Sequence, residues 1–114
     1  SAVAFEDVPA ARQALEDAEL VAHATPLGMK DGDPMAVPVD WIARGATVFD
    51  AVYTPRRERT PFLEACERDR GCATVPGLGM LLFQGVRAFR VWTGRDPDIA
   101  VMEAALRSAL RERA

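Results

Sequence analysis

Two glycines and a glutamine form the group of residues in this sequence that is best suited to ligand chemistry. Gly77 and Gly79 lie two residues apart, and Met80 and Gln84 follow them at helical spacing. A glycine pair lets the backbone approach a bulky ligand closely because no Cβ intervenes. The full G-x-G-x-x-G pattern of dinucleotide-binding turns is missing, since Leu82 occupies the third glycine position. A tight strand-to-helix turn without a ligand is therefore the competing interpretation.

Gln84 shares one side of the predicted helix with Gly77 and Met80. At about 100° per residue, the three positions fall within roughly 60° of one another. The Gln84 amide would there be placed to hydrogen-bond a polyol, and an ordinary solvated glutamine is the alternative. The bulky residues expected to face the core from the same helix are Leu81, Leu82, Phe89 and Trp92.

Three further groups of polar residues have a structural interpretation that spacing alone favours. Asp50 and Tyr53 are three residues apart in an apolar run, so they face opposite sides of a strand and need not share a role. The basic segment 56–59 could contact phosphates, but a solvated loop is expected. His23 has no metal-ligating residue near it in sequence, which indicates a hydrogen-bonded or edge histidine.

The composition is that of an ordinary globular domain. The chain has 114 residues, of which 49% are hydrophobic and 27% charged, which fits a single domain. The net charge of −3 gives nucleic-acid binding no general electrostatic support. No apolar run approaches the roughly 18 residues that a membrane-spanning helix needs. The first residue is Ser1, as in a chain cut from a longer one, although a processed or tagged start is an alternative.

Cys66 and Cys72 are not arranged as a CxxC pair. Cys66 follows Phe62 and Leu63 at helical spacing, which predicts a buried thiol rather than a disulfide, a catalytic group or a metal ligand. We therefore expect no metal site and a reducing, cytoplasmic location.

Short apolar runs alternate with helical segments along the chain. Strands are predicted at 2–5, 20–24, 46–53 and 72–75. Helices are predicted from Pro9, from Thr60 to Gly71, from Leu78 to Trp92, and from Pro97 with Asp96 as its cap. This alternation predicts an α/β fold with a short parallel sheet flanked by helices. Ligands of such folds bind at the carboxyl ends of the strands, here residues 24–28, 50–54 and 75–80.

Taken together, these segments resemble the C-terminal half of the shikimate dehydrogenase family. The matching pieces occur in the family's order and at about its spacing: 24–29 (ATPLGM), 49–53 (FDAVY), 60–63 (TPFL), 77–84 (GLGMLLFQ), 88–94 (AFRVWTG) and 97–98 (PD). The resemblance implies that residues 1–114 are one domain, the second half of a Rossmann-like nucleotide-binding domain plus C-terminal helices. It implies a partial three-layer sandwich without the N-terminal substrate domain.

The resemblance also implies a function. The family reduces 3-dehydroshikimate to shikimate with NADPH in aromatic biosynthesis. By this resemblance the cofactor contacts are Ala51, Gly77, Met80 and Thr25, and the substrate contacts are Tyr53 and Gln84. Neither nucleic acid nor membrane is expected as a partner, and a homodimer is left open.

The sequence departs from the family's pattern in two respects. His23 stands where the family usually has Asn, which puts a hydrogen bond at that turn in question. The catalytic Lys and Asp of the family have no counterpart, because Lys30 is the single lysine and lies in a different context. The glycine-rich phosphate loop would precede Ser1. Because this loop and the catalytic residues are missing, we expect this chain to be inactive alone. We also expect it to expose an unpaired sheet edge, because the neighbouring strands are missing. The alternatives are a quinate/shikimate dehydrogenase that uses NAD and a non-catalytic Rossmann-like binding module.

Overall fold

The fold is an α/β arrangement of three short parallel strands with helices between and after them. The computed structural model describes residues 1–113. The elements in chain order are α1 (Val8–Glu16), β1 (Leu20–His23), a 3-10 turn (Val39–Trp41), β2 (Thr47–Asp50), α2 (Pro61–Arg70), β3 (Ala73–Pro76), α3 (Leu78–Thr93) and α4 (Ile99–Glu112). The sheet order is β1-β2-β3, and both pairs are parallel. The predicted fold class is confirmed.

The three strands end level with one another at a single edge of the sheet. His23, Asp50 and Pro76 are register partners across β1, β2 and β3. The Ala51 amide donates to the His23 carbonyl over 2.8 Å, which extends the first pairing one residue past β2. The segments after His23, Asp50 and Pro76 therefore leave the sheet side by side, as the parallel topology predicts.

The hydrophobic core lies on the face of the sheet that α2 covers. Because strand residues alternate between faces, the register partners Val21 and Val48 point to the same side. They join one core cluster with Phe62, Leu63 and Cys66 from α2. Both cysteines are free and buried, as predicted.

The opposite face of the sheet is largely open within residues 1–113. Leu20, Ala22 and Val75 point to that side and are exposed, with Leu20 at 62%. Phe49 on the central strand is half-buried there. The described helices thus supply one complete layer against the sheet.

Local sequence chemistry sets the ends of α2 as predicted. The Thr60 hydroxyl oxygen accepts a hydrogen bond from the Leu63 amide, and Pro61 occupies the first turn. Gly71 ends the helix at φ 65°, a left-handed conformation that glycine adopts without a Cβ penalty.

One predicted strand and two predicted element ends are wrong by more than one residue. Residues 2–5 form no strand and are exposed. The second strand ends at Asp50 rather than Tyr53, because the Asp50 carboxylate accepts from the Val52 amide and turns the chain there. The cap of α4 is Asp98, which accepts from Val101, whereas Asp96 accepts from Arg90 over 2.5 Å instead.

The core-facing side of α3 also differs from the prediction. Leu82 is buried together with Leu78 and Val86, but Phe89 is 37% and Trp92 82% exposed. A helix of 16 residues is about 24 Å long, and a strand of four residues spans about 13 Å. The second half of α3 therefore extends past the sheet.

Candidate active site

The backbone at Gly77 packs directly against the end of β2. A Cβ added to Gly77 would lie 2.5 Å from the carbonyl oxygen of Ala51 and 2.7 Å from that of Asp50. Such contacts are far inside van der Waals distance, so this position requires glycine. The absent side chain makes room for protein backbone, which supports the tight-turn interpretation. It also places Gly77 against Ala51, its expected companion at the nicotinamide end.

The start of α3 is open toward the carboxyl edge of the sheet. No side chain caps this helix at Gly77. Gly79 is exposed, with no atom within 4 Å of an added Cβ, and Met80 is also exposed. The unpaired amides in the first turn of a helix favour electron-rich ligand groups. This region therefore has both the space and the polarity for a polar ligand.

The two predicted substrate contacts are accessible. Tyr53 is 37% exposed and follows β2, and Gln84 is exposed on α3. Tyr53 and Leu78 line the same small cavity of about 130 Å³, which places the tyrosine next to the start of α3. Tyr53 is thus more exposed than the half-buried tyrosine that the sequence predicts.

A buried polar network ties the first two strand ends together. Asp50 is 1% exposed and accepts hydrogen bonds from the His23 imidazole Nδ1 over 2.9 Å and from the Thr60 hydroxyl over 2.5 Å. The Val52 amide donates to the same carboxylate over 2.9 Å. Three donors from separate segments thus converge on one buried carboxylate, which offsets its desolvation. The expectation of a hydrogen-bonded histidine is confirmed.

Thr25 joins this network from the turn that follows β1. Its Oγ1 lies 2.5 Å from the Nε2 atom of His23 and accepts from the Leu27 amide over 3.2 Å. The family resemblance assigned Thr25 to the cofactor side, but its link to Asp50 was not predicted. The helix cap at Thr60, recognised from sequence, was the available signal that the network continues into α2.

The basic loop is held by acidic residues of the same chain. Arg56 donates to Asp31 over 2.6 Å, and Arg59 forms an ion pair with Glu67. The hydrogen bond that Arg59 donates to the Glu67 carboxylate, together with the negative charge of that carboxylate, raises the pKa of Arg59. These pairings support the solvated-loop interpretation over phosphate binding.

A second cavity, larger than the one at Tyr53, lies beside the network rather than over the predicted contacts. It has a volume of about 720 Å³ between the loops 27–36 and 54–62, with His23 and Asp50 in its wall. None of the six residues predicted to contact cofactor or substrate lines it. The cavity and the predicted contacts thus both lie next to the hydrogen-bonded network, but they do not coincide.

The thiols are poorly suited to reaction. Burial raises the pKa of Cys66 to about 11, with smaller contributions from Cys72 and Asp50. Burial also raises the pKa of Cys72. Both groups therefore stay protonated near neutral pH and are weak nucleophiles.

Residues 1–113 contain neither a cluster of potential metal ligands nor a helix suited to span a membrane. That range contains no group of three or more His, Cys, Asp or Glu side chains placed to hold a metal ion. Among the same residues, no helix has the length and apolar character required to cross a bilayer.

Known proteins resemble this chain in both sequence and fold. A family model described as "Shikimate 5'-dehydrogenase C-terminal domain" matches residues 77–107. The shikimate dehydrogenase (NADP(+)) of Rubrobacter xylanophilus is 47% identical over 94 residues, which cover 82% of this chain and 32% of the relative. The chain thus spans about a third of the length of the curated relatives it matches.

Two solved structures extend the similarity to the fold. Shikimate 5-dehydrogenase from Thermus thermophilus, in complex with NADP(H) and shikimate, aligns with a TM-score of 0.74 and 35% identity over 86% of this chain and 36% of that one. Quinate dehydrogenase from Corynebacterium glutamicum, in complex with NAD, aligns with a TM-score of 0.74 and 34% identity over 85% of this chain and 33% of that one. This chain is therefore similar in sequence and in fold to the C-terminal part of shikimate dehydrogenases.

Proposed function

We propose that this chain forms one side of the active site of an NADP-dependent shikimate dehydrogenase. The reaction would be the reduction of 3-dehydroshikimate to shikimate, as part of aromatic amino acid biosynthesis. The observation that carries the proposal is the meeting of three strand ends at one sheet edge, in a chain similar to shikimate dehydrogenases. Ligands of open parallel sheets bind at that edge.

The cofactor side is assigned to the ends of the strands and the start of α3. Ala51 and Gly77, in backbone contact, would border the nicotinamide ring, with Met80 packed close to it. Thr25 would border the cofactor from the turn after β1. NADPH, when bound, supplies the hydride for the reduction. These residues fit that group because they present small side chains and backbone at an open helix start, while the apolar Met80 side chain would exclude water from the ring.

The substrate side is assigned to Tyr53 and Gln84. Both side chains are exposed, and each ends in a group that hydrogen-bonds neutral hydroxyls or a carboxylate. Their proposed role is to orient the substrate ring against the cofactor side, which lowers the entropic cost of reaction. No proton transfer is assigned to either residue.

The proposal gives this chain a share of the site rather than the whole of it. The general acid and base, a Lys and an Asp in the family, have no counterpart among residues 1–114, so the chain alone is expected to be inactive. The proposed setting is a cytoplasmic enzyme, consistent with two free thiols. The proposal leaves open whether the full-length protein forms a homodimer.

The test is NADPH oxidation by the full-length protein. Absorbance at the NADPH band is followed with 3-dehydroshikimate as substrate, and the reverse reaction is run with shikimate and NADP⁺. We expect turnover in both directions, and no turnover by residues 1–114 alone. An absence of turnover by the full-length protein with either NADP or NAD would overturn the proposal.

A quinate dehydrogenase that uses NAD is the second candidate. It is supported by the quinate dehydrogenase in complex with NAD, which aligns with the same TM-score of 0.74 as the NADP(H) complex. The two candidates share the strand ends on this chain, so the same assay separates them by substrate and cofactor. A higher kcat/KM for quinate with NAD⁺ than for shikimate with NADP⁺ would favour the second candidate.

A further inference from the structure

We propose that His23 is a positioning residue for the cofactor side of the site. In this account its imidazole fixes the hydroxyl of Thr25, and with it the turn after β1, against the Asp50 carboxylate at the end of β2. The inference rests on the proposed function, because the cofactor is the group that this turn would border.

The geometry of the imidazole carries the inference. His23 is 6% exposed, and its two ring nitrogens lie 2.9 Å from an oxygen of Asp50 and 2.5 Å from the hydroxyl of Thr25. The ring of Phe62 packs edge-on at a centroid distance of 5.6 Å. The imidazole is thus bonded at both ends and packed from the side, so it forms a rigid link between two strand ends.

The partners of Asp50 set the direction of its hydrogen bonds. Thr60 Oγ1 already accepts from the Leu63 amide, so the hydroxyl hydrogen is directed to Asp50. The Val52 amide also donates to Asp50. The carboxylate therefore acts as an acceptor throughout, and the Nδ1 atom of His23 carries a hydrogen and donates to it.

The far end of the imidazole follows the same logic. In the tautomer that carries its hydrogen on Nδ1, the Nε2 atom is an acceptor for the Thr25 hydroxyl. The oxygen of that hydroxyl accepts from the Leu27 amide. The hydrogen bonds thus run in one direction from Leu27 through Thr25 and His23 to Asp50. The Asp50 carboxylate thereby fixes the turn at Thr25 through the His23 imidazole, without a direct contact to that turn.

The link is needed because the turn has few other anchors. Within the described chain, the segment after Thr25 is otherwise held by bonds inside the loop, namely the Gly28 and Lys30 amides donating to Asp33 and two backbone bonds of 3.2 and 3.4 Å. An exposed ion pair between Arg56 and Asp31 also ties the loop to the segment after β2. The bonds through His23 are the buried connection between this turn and the end of β2, beside the Ala51–Gly77 contact.

A double-mutant cycle in the full-length protein tests the inference. The dissociation constant for NADPH is measured by fluorescence titration for wild type, Thr25→Val, His23→Leu and the double variant. We expect each single change to raise the Kd about tenfold and the double change to raise it no further than the more damaging single change, since both break one link. Thr25→Ser, which keeps a hydroxyl, is expected to recover most of the affinity lost in Thr25→Val.

A matched control removes a similar hydroxyl elsewhere. Thr74 on β3 donates to Glu67 over 3.0 Å, remote from this turn, so Thr74→Val is expected to leave the Kd within about twofold of wild type. If His23→Leu does not fold, His23→Gln, which keeps a donor and an acceptor, replaces it in the cycle. With that variant we expect a Kd between those of wild type and Thr25→Val.

The outcomes separate this inference from the proposed function. Wild-type binding of NADPH with an unchanged Kd in the His23 variants would overturn this inference alone. A double variant whose Kd is raised by the product of the two single effects would also overturn this inference. Such a result would mean that Thr25 and His23 act independently. A wild-type full-length protein that binds neither NADPH nor NADH would overturn the proposed function as well.

Discussion

Individual residues at the strand ends are fixed by contacts that leave little freedom. Asp50 receives hydrogen bonds from His23, Thr60 and the Val52 amide, and no buried side-chain nitrogen or oxygen in residues 1–113 lacks a partner. Gly77 sits against the Ala51 carbonyl with no room for a Cβ. The site is therefore built from close packing and hydrogen bonds among neighbouring strand ends.

Gly77 and Gly79 are expected to respond oppositely to a single methyl group. Gly77→Ala should destabilise the protein by about 2–3 kcal/mol, since the new Cβ would meet backbone at 2.5 Å. Gly79→Ala should be neutral or stabilising by up to about 1 kcal/mol, because the position is helical and open. Urea unfolding of the full-length variants measures both. Equal stabilities for the two variants would contradict the contact at Gly77.

The sequence suggests candidate site residues, but it does not suggest the hydrogen bonds that connect them. Thr25, Tyr53 and Gln84 were recognised through the family resemblance, and their positions after strand ends or on one helix side agree with it. The His23–Asp50 bond was not, since its partners are 27 residues apart and only the β1–β2 register brings them together. Local patterns carry no information about such a pairing until the sheet order is known.

For the helices and strands, the sequence predicts the type of each element better than the residues at which the element begins and ends. The parallel sheet, α2 and α3 follow from apolar periodicity and capping residues. The start of α4 was misplaced because Asp96, Pro97 and Asp98 form two plausible caps in a row, and the ion pair of Asp96 with Arg90 leaves the cap to Asp98. The exposed end of α3 was missed because periodicity does not show where a sheet stops.

The cap of α2 is expected to contribute more than the cap of α4. Thr60→Ala removes both an N-cap acceptor and a buried donor to Asp50, so it should cost about 2–3 kcal/mol. Asp98→Ala removes one exposed cap and should cost about 1 kcal/mol. Thr60→Ser should retain most of the stability. Denaturant unfolding of the full-length variants is the measurement, and a Thr60→Ala cost no larger than that of Asp98→Ala would contradict the coupling of cap and network.

At the scale of the whole molecule, the described chain is more extended than a compact domain. Its radius of gyration is 16.3 Å, whereas about 13 Å is typical of this length. One sheet face is largely open, and β1 is an edge strand with an exposed Leu20. These are features of a fold that makes further contacts, and they fit a chain that matches about a third of its relatives.

The isolated chain is therefore expected to self-associate. The free edge of β1 offers unpaired backbone groups beside apolar side chains, which favours edge-to-edge pairing. Sedimentation of residues 1–114 should show concentration-dependent association, and Leu20→Lys should reduce it. A monomeric chain that unfolds cooperatively would contradict this expectation.

We propose that α3 presents Gln84 to the substrate while the strand ends hold the cofactor. The most direct measurement is the steady-state kinetics of full-length Gln84→Ala, with 3-dehydroshikimate and NADPH varied in turn. Loss of one or two hydrogen bonds, about 1–3 kcal/mol, predicts a KM for 3-dehydroshikimate raised roughly 10- to 100-fold and a nearly unchanged KM for NADPH. Gln13→Ala, the same change on the exposed face of α1, should leave both values unchanged. A raised KM for NADPH with an unaltered KM for 3-dehydroshikimate would contradict the assignment.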